Sequence, residues 1–151
     1  MTDAFMPDRF EWPIRVYWED TDAGGIVFYA NYLKFFERAR TEWLRSLGID
    51  QRTLRERTGG MFVVTDSQVR YRRPARLDDK LTVTARVVEA GRASLTIEQS
   101  ANLQAPSAPN SETVDVAQAL LCSGRVRIAW VDASNMAPAR IPEALLKQLT
   151  G

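Results

Sequence analysis

The sequence predicts an α+β protein in which one long amphipathic helix lies on an antiparallel sheet. Three observations carry that expectation. Only one segment has strong helical periodicity, with apolar residues recurring at Tyr32, Phe36, Ala39, Trp43 and Leu47. Runs rich in Val, Ile, Leu and Thr occur once before that segment and four times after it. The repeated strand–helix–strand units that build a parallel sheet are missing.

Ile14 to Trp18 predicts the first strand, with Ile14, Val16 and Trp18 on one face. The acidic stretch Glu19-Asp20-Thr21-Asp22-Ala23-Gly24-Gly25 follows, and Ile26 to Tyr29 leads into the helix. The helix buries the stripe named above, with Leu33 and Phe35 at its edges and Lys34, Arg38, Thr41 and Arg45 opposite. Gly48 ends it, because glycine accepts the left-handed conformation of a helix terminus. A span of roughly 18 residues gives about 27 Å, and its aromatic face needs a broad, flat partner. Met61–Arg73, Lys80–Glu89, Ser94–Leu103 and Val114–Val131 supply that partner as strands. Ala90-Gly91-Arg92-Ala93 is a hairpin turn, and Gln104 to Glu112 is a polar, proline-bearing loop. Pro142 opens a short closing helix that runs to Leu149.

Composition narrows the chemistry before any motif is considered. The 151 residues are expected to form a single domain, residues 1–151, burying roughly two thirds of the unfolded surface. Lys and Arg total 20 against 19 Asp and Glu, so no general electrostatic footprint for nucleic acid or a membrane surface exists. Histidine is absent. Triads and dyads that use imidazole as base are therefore excluded, and so are the usual histidine-bearing zinc sites. The single cysteine, Cys122, sits in an apolar run and reads as a buried thiol, consistent with a reducing compartment. With no signal-length apolar stretch at the N-terminus, the chain is expected to be cytoplasmic.

The acidic stretch is the candidate site. As an EF-hand beginning at Asp20 it fails, because its twelfth position is Asn31 rather than a bidentate Glu. As a D-x-D phosphatase loop it fails too, with Gly24 where Thr or Val belongs and no parallel core. No G-K-[ST] follows the paired glycines, so a phosphate cradle is poorly supported. A plain structural role remains open, since Asp and Thr commonly satisfy free N–H groups where a helix begins. A further reading places the Asp22 carboxylate before the first helical turn, where free N–H groups around Phe28 and Tyr29 face the same space. Gly24 and Gly25 let the backbone approach a ligand. Such a pairing suits acyl transfer: the N–H groups hold an oxyanion while the carboxylate attacks or activates water. In the run Arg70-Tyr71-Arg72-Arg73-Pro74-Ala75-Arg76, a strand would put Arg70 and Arg72 on one face, which reads first as solvated surface.

Arg15-Val16-Tyr17, Asp20 to Val27, Asn31-Tyr32, Phe36 to Arg40, Tyr71 and Pro74 to Asp79 together resemble the signature of the hotdog-fold acyl-CoA thioesterases. Within these the chain is most similar to the Tol–Pal-associated branch, a relative of 4-hydroxybenzoyl-CoA thioesterase. The resemblance spans roughly residues 12 to 141. It implies a long helix wrapped by a curved antiparallel sheet, and dimers or dimers of dimers (homotetramers). It implies hydrolysis of acyl-CoA to a carboxylic acid and free coenzyme A, with acyl carrier protein as a possible alternative donor. No cofactor or metal is implied, since coenzyme A is part of the substrate. The catalytic aspartate falls on Asp22 and the carbonyl-polarising N–H on Tyr29, with Gly25, Phe28, Gly91 and Arg92 meeting substrate or coenzyme A. Many members of the nearest branch carry histidine where this chain has Tyr29, but a backbone N–H is independent of the side chain. Asp22 as nucleophile and Asp22 as general base both stay open. A non-catalytic acyl-CoA-binding or assembly protein on the same fold is the alternative.

Overall fold

Phe10, Trp12 and Ile14 alternate with Glu11, Pro13 and Arg15, and these six residues form the first strand, β1 (Phe10–Arg15). The computed structural model describes residues 9–104 and 119–151. β1 begins and ends earlier than the sequence suggests. Val16 still points into the core, but Trp18 is 83% exposed and starts a 3-10 turn, Trp18–Asp20, instead of sharing the face of Ile14. The cause is local: the Asp20 carboxylate accepts the Tyr17 N–H at 2.8 Å and turns the chain out of the strand. Pro13 is tolerated because β1 is an edge strand.

Helix α1 (Asn31–Ser46) follows, and Gly48 takes φ 80° just beyond it. Its buried face is Tyr32, Phe35, Phe36, Ala39, Trp43 and Leu44. Phe35 is therefore central rather than marginal, while Leu47 is only half-buried. A second helix, α2 (Gln51–Thr58), has no counterpart in the sequence expectation. Only Leu54 of it packs on the core, so it carries no apolar stripe. Its signal is at its start, where the Asp50 side chain accepts the Arg52 N–H.

Four more strands complete the sheet: β2 (Gly60–Tyr71), β3 (Lys80–Ala90), β4 (Ser94–Leu103) and β5 (Leu120–Asp132). The expected strand start at Val114, and the expected loop from 105 to 112, lie outside the described residues. All pairings are antiparallel in the order β1-β3-β4-β5-β2, which leaves β1 and β2 at the edges. The closing helix α3 (Glu143–Thr150) follows Pro142 and buries Leu145 and Leu149. This is the hotdog architecture: one long helix laid across a curved five-stranded antiparallel sheet.

The sheet's inner face contributes Leu81, Val83, Ala85, Leu95, Ile97, Ala101, Val126 and Ile128 to the same core as the buried face of α1. One polar residue interrupts that face. Gln99, fully buried, donates to the Phe36 carbonyl at 3.0 Å and the Thr84 carbonyl at 3.2 Å, and accepts from Arg40 at 2.8 Å. Gly124 on β5 lies under Phe36, and a Cβ there would collide with the Gln68 carbonyl. The opposite face is polar, with Thr84 bonded to Ser100 and Glu98 between Arg86 and Arg125. Among the described residues no helix is long and apolar enough to cross a membrane.

Candidate active site

The Asp22 loop is built from local hydrogen bonds. After the Trp18–Asp20 turn, Thr21 bridges to Val27, and the Asp22 N–H donates to the Ile26 carbonyl at 2.9 Å. The Gly25 N–H donates back to the Asp22 carbonyl at 3.0 Å. Gly25 closes this tight reversal at φ 79°, a backbone conformation that side chains disfavour. The exposed Asp22 carboxylate accepts the Gly24 N–H through Oδ1 at 2.8 Å, and Oδ2 has no partner among the described residues. One oxygen is thus oriented and the other is open to a ligand.

Two further anchors set the loop against the body. Val27 N–H donates to the Ala75 carbonyl, Ile26 bridges to Arg76, and the Ala75 N–H donates to the Tyr32 hydroxyl at 3.0 Å. Val16 pairs with Asp78 and Asp79. The segment from Ala75 to Asp79 therefore clamps the acidic loop to the start of α1. Asp20 is the buried acid here, at 5% exposure, and its carboxylate is committed to the Tyr17 N–H. Of the three acids in the stretch, Asp22 alone combines an ordered carboxylate with an open oxygen.

At the start of α1 the expectation of free N–H groups on both Phe28 and Tyr29 needs correcting. Phe28 N–H donates to the Asp20 carbonyl at 2.9 Å, so it is taken. The Tyr29 N–H has no acceptor among the described residues. The turn is already helical at Ala30, and Asn31 N–H returns to the Phe28 carbonyl. Tyr29 thus presents one unpaired donor at the positive end of the helix.

Around that donor lies an aromatic shelf. Phe28 and Tyr29 rings are 4.9 Å apart, Tyr71 meets Tyr29 edge-on at 6.0 Å, and Tyr32 lies 5.7 Å from Tyr71. Phe28, Tyr29 and Tyr71 remain exposed. Burial raises the pKa of the Tyr32 phenol, against the Ala75 hydrogen bond, and burial likewise raises that of Tyr71. Burial also pushes the Cys122 thiol up to about 12. These groups stay protonated at neutral pH and offer no base or nucleophile.

Asp22, Gly25, Phe28 and Tyr29 come together in this one loop. Gly91 and Arg92 do not join them within the chain. They form the β3–β4 turn, where Gly91 N–H donates to the Ser94 carbonyl and the Arg92 carbonyl accepts from Ile141. That turn sits at the far end of β3 from Asp79, about 33 Å along the strand. A cleft of about 670 Å³ also lies away from Asp22, between the end of α1, the start of β1 and the end of α3. Sequence reasoning named neither Asp20 nor Asn31 as a site residue; the bond between them joins positions eleven residues apart, with no periodic relationship.

A family model described as the thioesterase-like superfamily matches residues 16–149. The acyl-CoA thioesterase YbgC of Haemophilus influenzae is 40% identical over 138 residues, covering 91% of this chain and 92% of that protein. The acyl-CoA thioester hydrolase YbgC of Escherichia coli O6:H1 is 38% identical over 140 residues, covering 92% and 94%. Among solved structures, a probable thioesterase from Bartonella henselae superposes with a TM-score of 0.75 at 30% identity, covering 89% of this chain and 99% of its own.

Proposed function

Because this chain belongs to the thioesterase-like superfamily and is a thioester hydrolase, we propose that its substrates are acyl-CoA esters, cleaved at Asp22 beside the Tyr29 N–H. The activity named for relatives at about 40% identity supports the acyl-CoA class. The observation that carries the site is the pairing, in one loop, of a carboxylate with an open oxygen and a helix-terminal N–H with no acceptor. The thioester carbonyl oxygen accepts the Tyr29 N–H, which stabilises the charge that develops there. Asp22 Oδ2 attacks the carbonyl carbon, the C–S bond breaks, and coenzyme A leaves as a thiolate that takes a proton from solvent. Water then opens the mixed anhydride and returns the carboxylate. The alternative, in which Asp22 takes a proton from an attacking water, uses the same groups.

We also propose that two copies assemble. β2 is an edge strand of 12 residues, and exposed Val64 and Tyr71 lie on it. An open edge of that length invites a second strand. A partner copy also offers a way to bring an Arg92 to each Asp22 loop, for the anionic phosphates of coenzyme A.

The test is Asp22→Asn against a panel of acyl-CoA esters read by free-thiol release. Turnover should fall by at least about a thousandfold while the oligomer stays folded. Near-normal turnover of the variant removes Asp22 from the mechanism. In a single turnover in ¹⁸O-water, label in the Asp22 carboxylate establishes the covalent route, with water attacking the Asp22 carbonyl of the anhydride.

A further inference from the structure

Asparagine just before a helix turns its side-chain oxygen inward, to accept an N–H of the first turn. Asn31 stands one place later, after Ala30, and makes no such bond. It is the first residue of α1, no side chain caps that terminus, and its amide points back across the acidic loop. Nδ2 donates to the Asp20 carbonyl at 2.9 Å, eleven residues earlier in the chain. The assignment of nitrogen to this contact follows from chemistry: a carbonyl only accepts, so the donor end of the amide must face it.

The Asp20 carbonyl receives a second donor, the Phe28 N–H, also at 2.9 Å. Both its lone pairs are therefore used. The carboxylate of the same residue holds the Tyr17 N–H, and the residue is buried. Asp20 is thus fixed through both its polar ends. From it the chain runs two residues to Asp22, while from Asn31 it runs two residues back to Tyr29. The Asn31–Asp20 hydrogen bond thus lies two residues from each of the two groups proposed to act on the thioester.

Building on the assignment of Asp22 and Tyr29, we propose that Asn31 is a positioning residue for thioester hydrolysis: its amide, clamped on the Asp20 carbonyl, sets the Asp22 carboxylate relative to the Tyr29 N–H. With the amide removed, the Asp20 carbonyl keeps only the Phe28 bond, and the spacing between the loop and the start of α1 loosens. The start of α1 itself is unaffected, because Asn31 caps nothing. A carboxylate at this position would set oxygen against oxygen and force the loop away, at nearly unchanged volume.

The experiment compares Asn31→Asp and Asn31→Ala with the unaltered protein, using butyryl-CoA and benzoyl-CoA, thermal melting and amide hydrogen exchange. The expected result is a kcat lower by about tenfold to a hundredfold with KM within about twofold, as for a misplaced reacting group. Exchange at Gly24 to Tyr29 should quicken while the strands keep their protection, with the melting temperature within a few degrees. A kcat within about twofold of normal overturns the proposal, and so does a loss confined to KM. Faster exchange throughout the sheet, or failure of both variants to fold, makes Asn31 a structural residue and also overturns it. The outcome separates from that of the site assignment. An active Asp22→Asn variant removes the Asp22 assignment and this proposal with it. An inactive one beside normal Asn31 variants removes the proposal alone.

Discussion

The Tyr29 N–H can be deleted without deleting a bond that the fold uses, because nothing among the described residues accepts it. Proline lacks the N–H and is well suited to a first helical turn. Tyr29→Pro should therefore lower kcat by about a hundredfold to a thousandfold, the usual effect of removing one oxyanion donor. Tyr29→Ala and Tyr29→Phe keep the N–H and should keep most of the turnover, although the exposed aromatic shelf around Tyr71 changes. Steady-state kinetics of the three variants, with melting curves alongside, check this. Equal turnover for the proline and alanine variants removes the donor from the mechanism. At this scale the acidic loop was legible as a candidate site, because the D-T-D-A-G-G run has a chemical reading on its own. The split of labour between the acids was not. Asp20 and Asp22 look alike in the sequence, and only the Tyr17 and Gly24 contacts tell the buried cap from the open carboxylate.

At the level of elements, periodicity located α1, three of the five strands and the end of β5 closely, since each has a buried face that must repeat at 3.6 or 2 residues. It misplaced β1, where the alternation of Ile14, Val16 and Trp18 continues past the strand's end. A side-chain hydrogen bond at Asp20 ends that strand, and no pattern of hydropathy records it. It missed α2 because a surface helix with one anchoring Leu54 has no stripe to detect. The close fit of α1 on β5 gives the element-scale prediction. Gly124→Ala puts a methyl against the Gln68 carbonyl and into contact with Phe36. Overpacking of this kind costs about 1–3 kcal/mol, so the melting temperature should fall by several degrees. The damage should concentrate in the β2–β5 pair, visible as faster amide exchange there. An unchanged melting temperature would mean that β2 moves aside freely.

For the whole molecule, the decisive fact is that the Asp22 loop is anchored beside the start of β3 and Arg92 lies just past its end. If each site takes its carboxylate from one copy and its phosphate contact from another, damaged copies should complement each other. Asp22→Asn and Arg92→Glu, each weak alone at limiting acyl-CoA, should regain activity when unfolded together and refolded as a mixture. In a mixed dimer one site keeps both native groups and the other keeps neither. Activity no higher than the sum of the separate variants would place both groups in one subunit's reach or remove Arg92 from substrate binding. Sedimentation of the same mixture checks whether dimers form.

Gln99 has a consequence for the thioester chemistry that its place in the core conceals. Its amide grips a helix carbonyl at Phe36 and a guanidinium one turn later at Arg40, from a strand beneath. Greasy contacts alone tolerate sliding, since one leucine neighbour serves nearly as well as another. A directional bond between sheet and helix backbone does not, so Gln99 indexes α1 along its axis. One residue of slip is 1.5 Å, enough to carry a helix-end N–H out of bonding range of a carbonyl held elsewhere. A buried glutamine on β4, gripping the helix seven residues after Tyr29, thereby acts as a vernier for the proposed oxyanion donor. Precision at the proposed catalytic rim is inherited from a polar contact buried in the core.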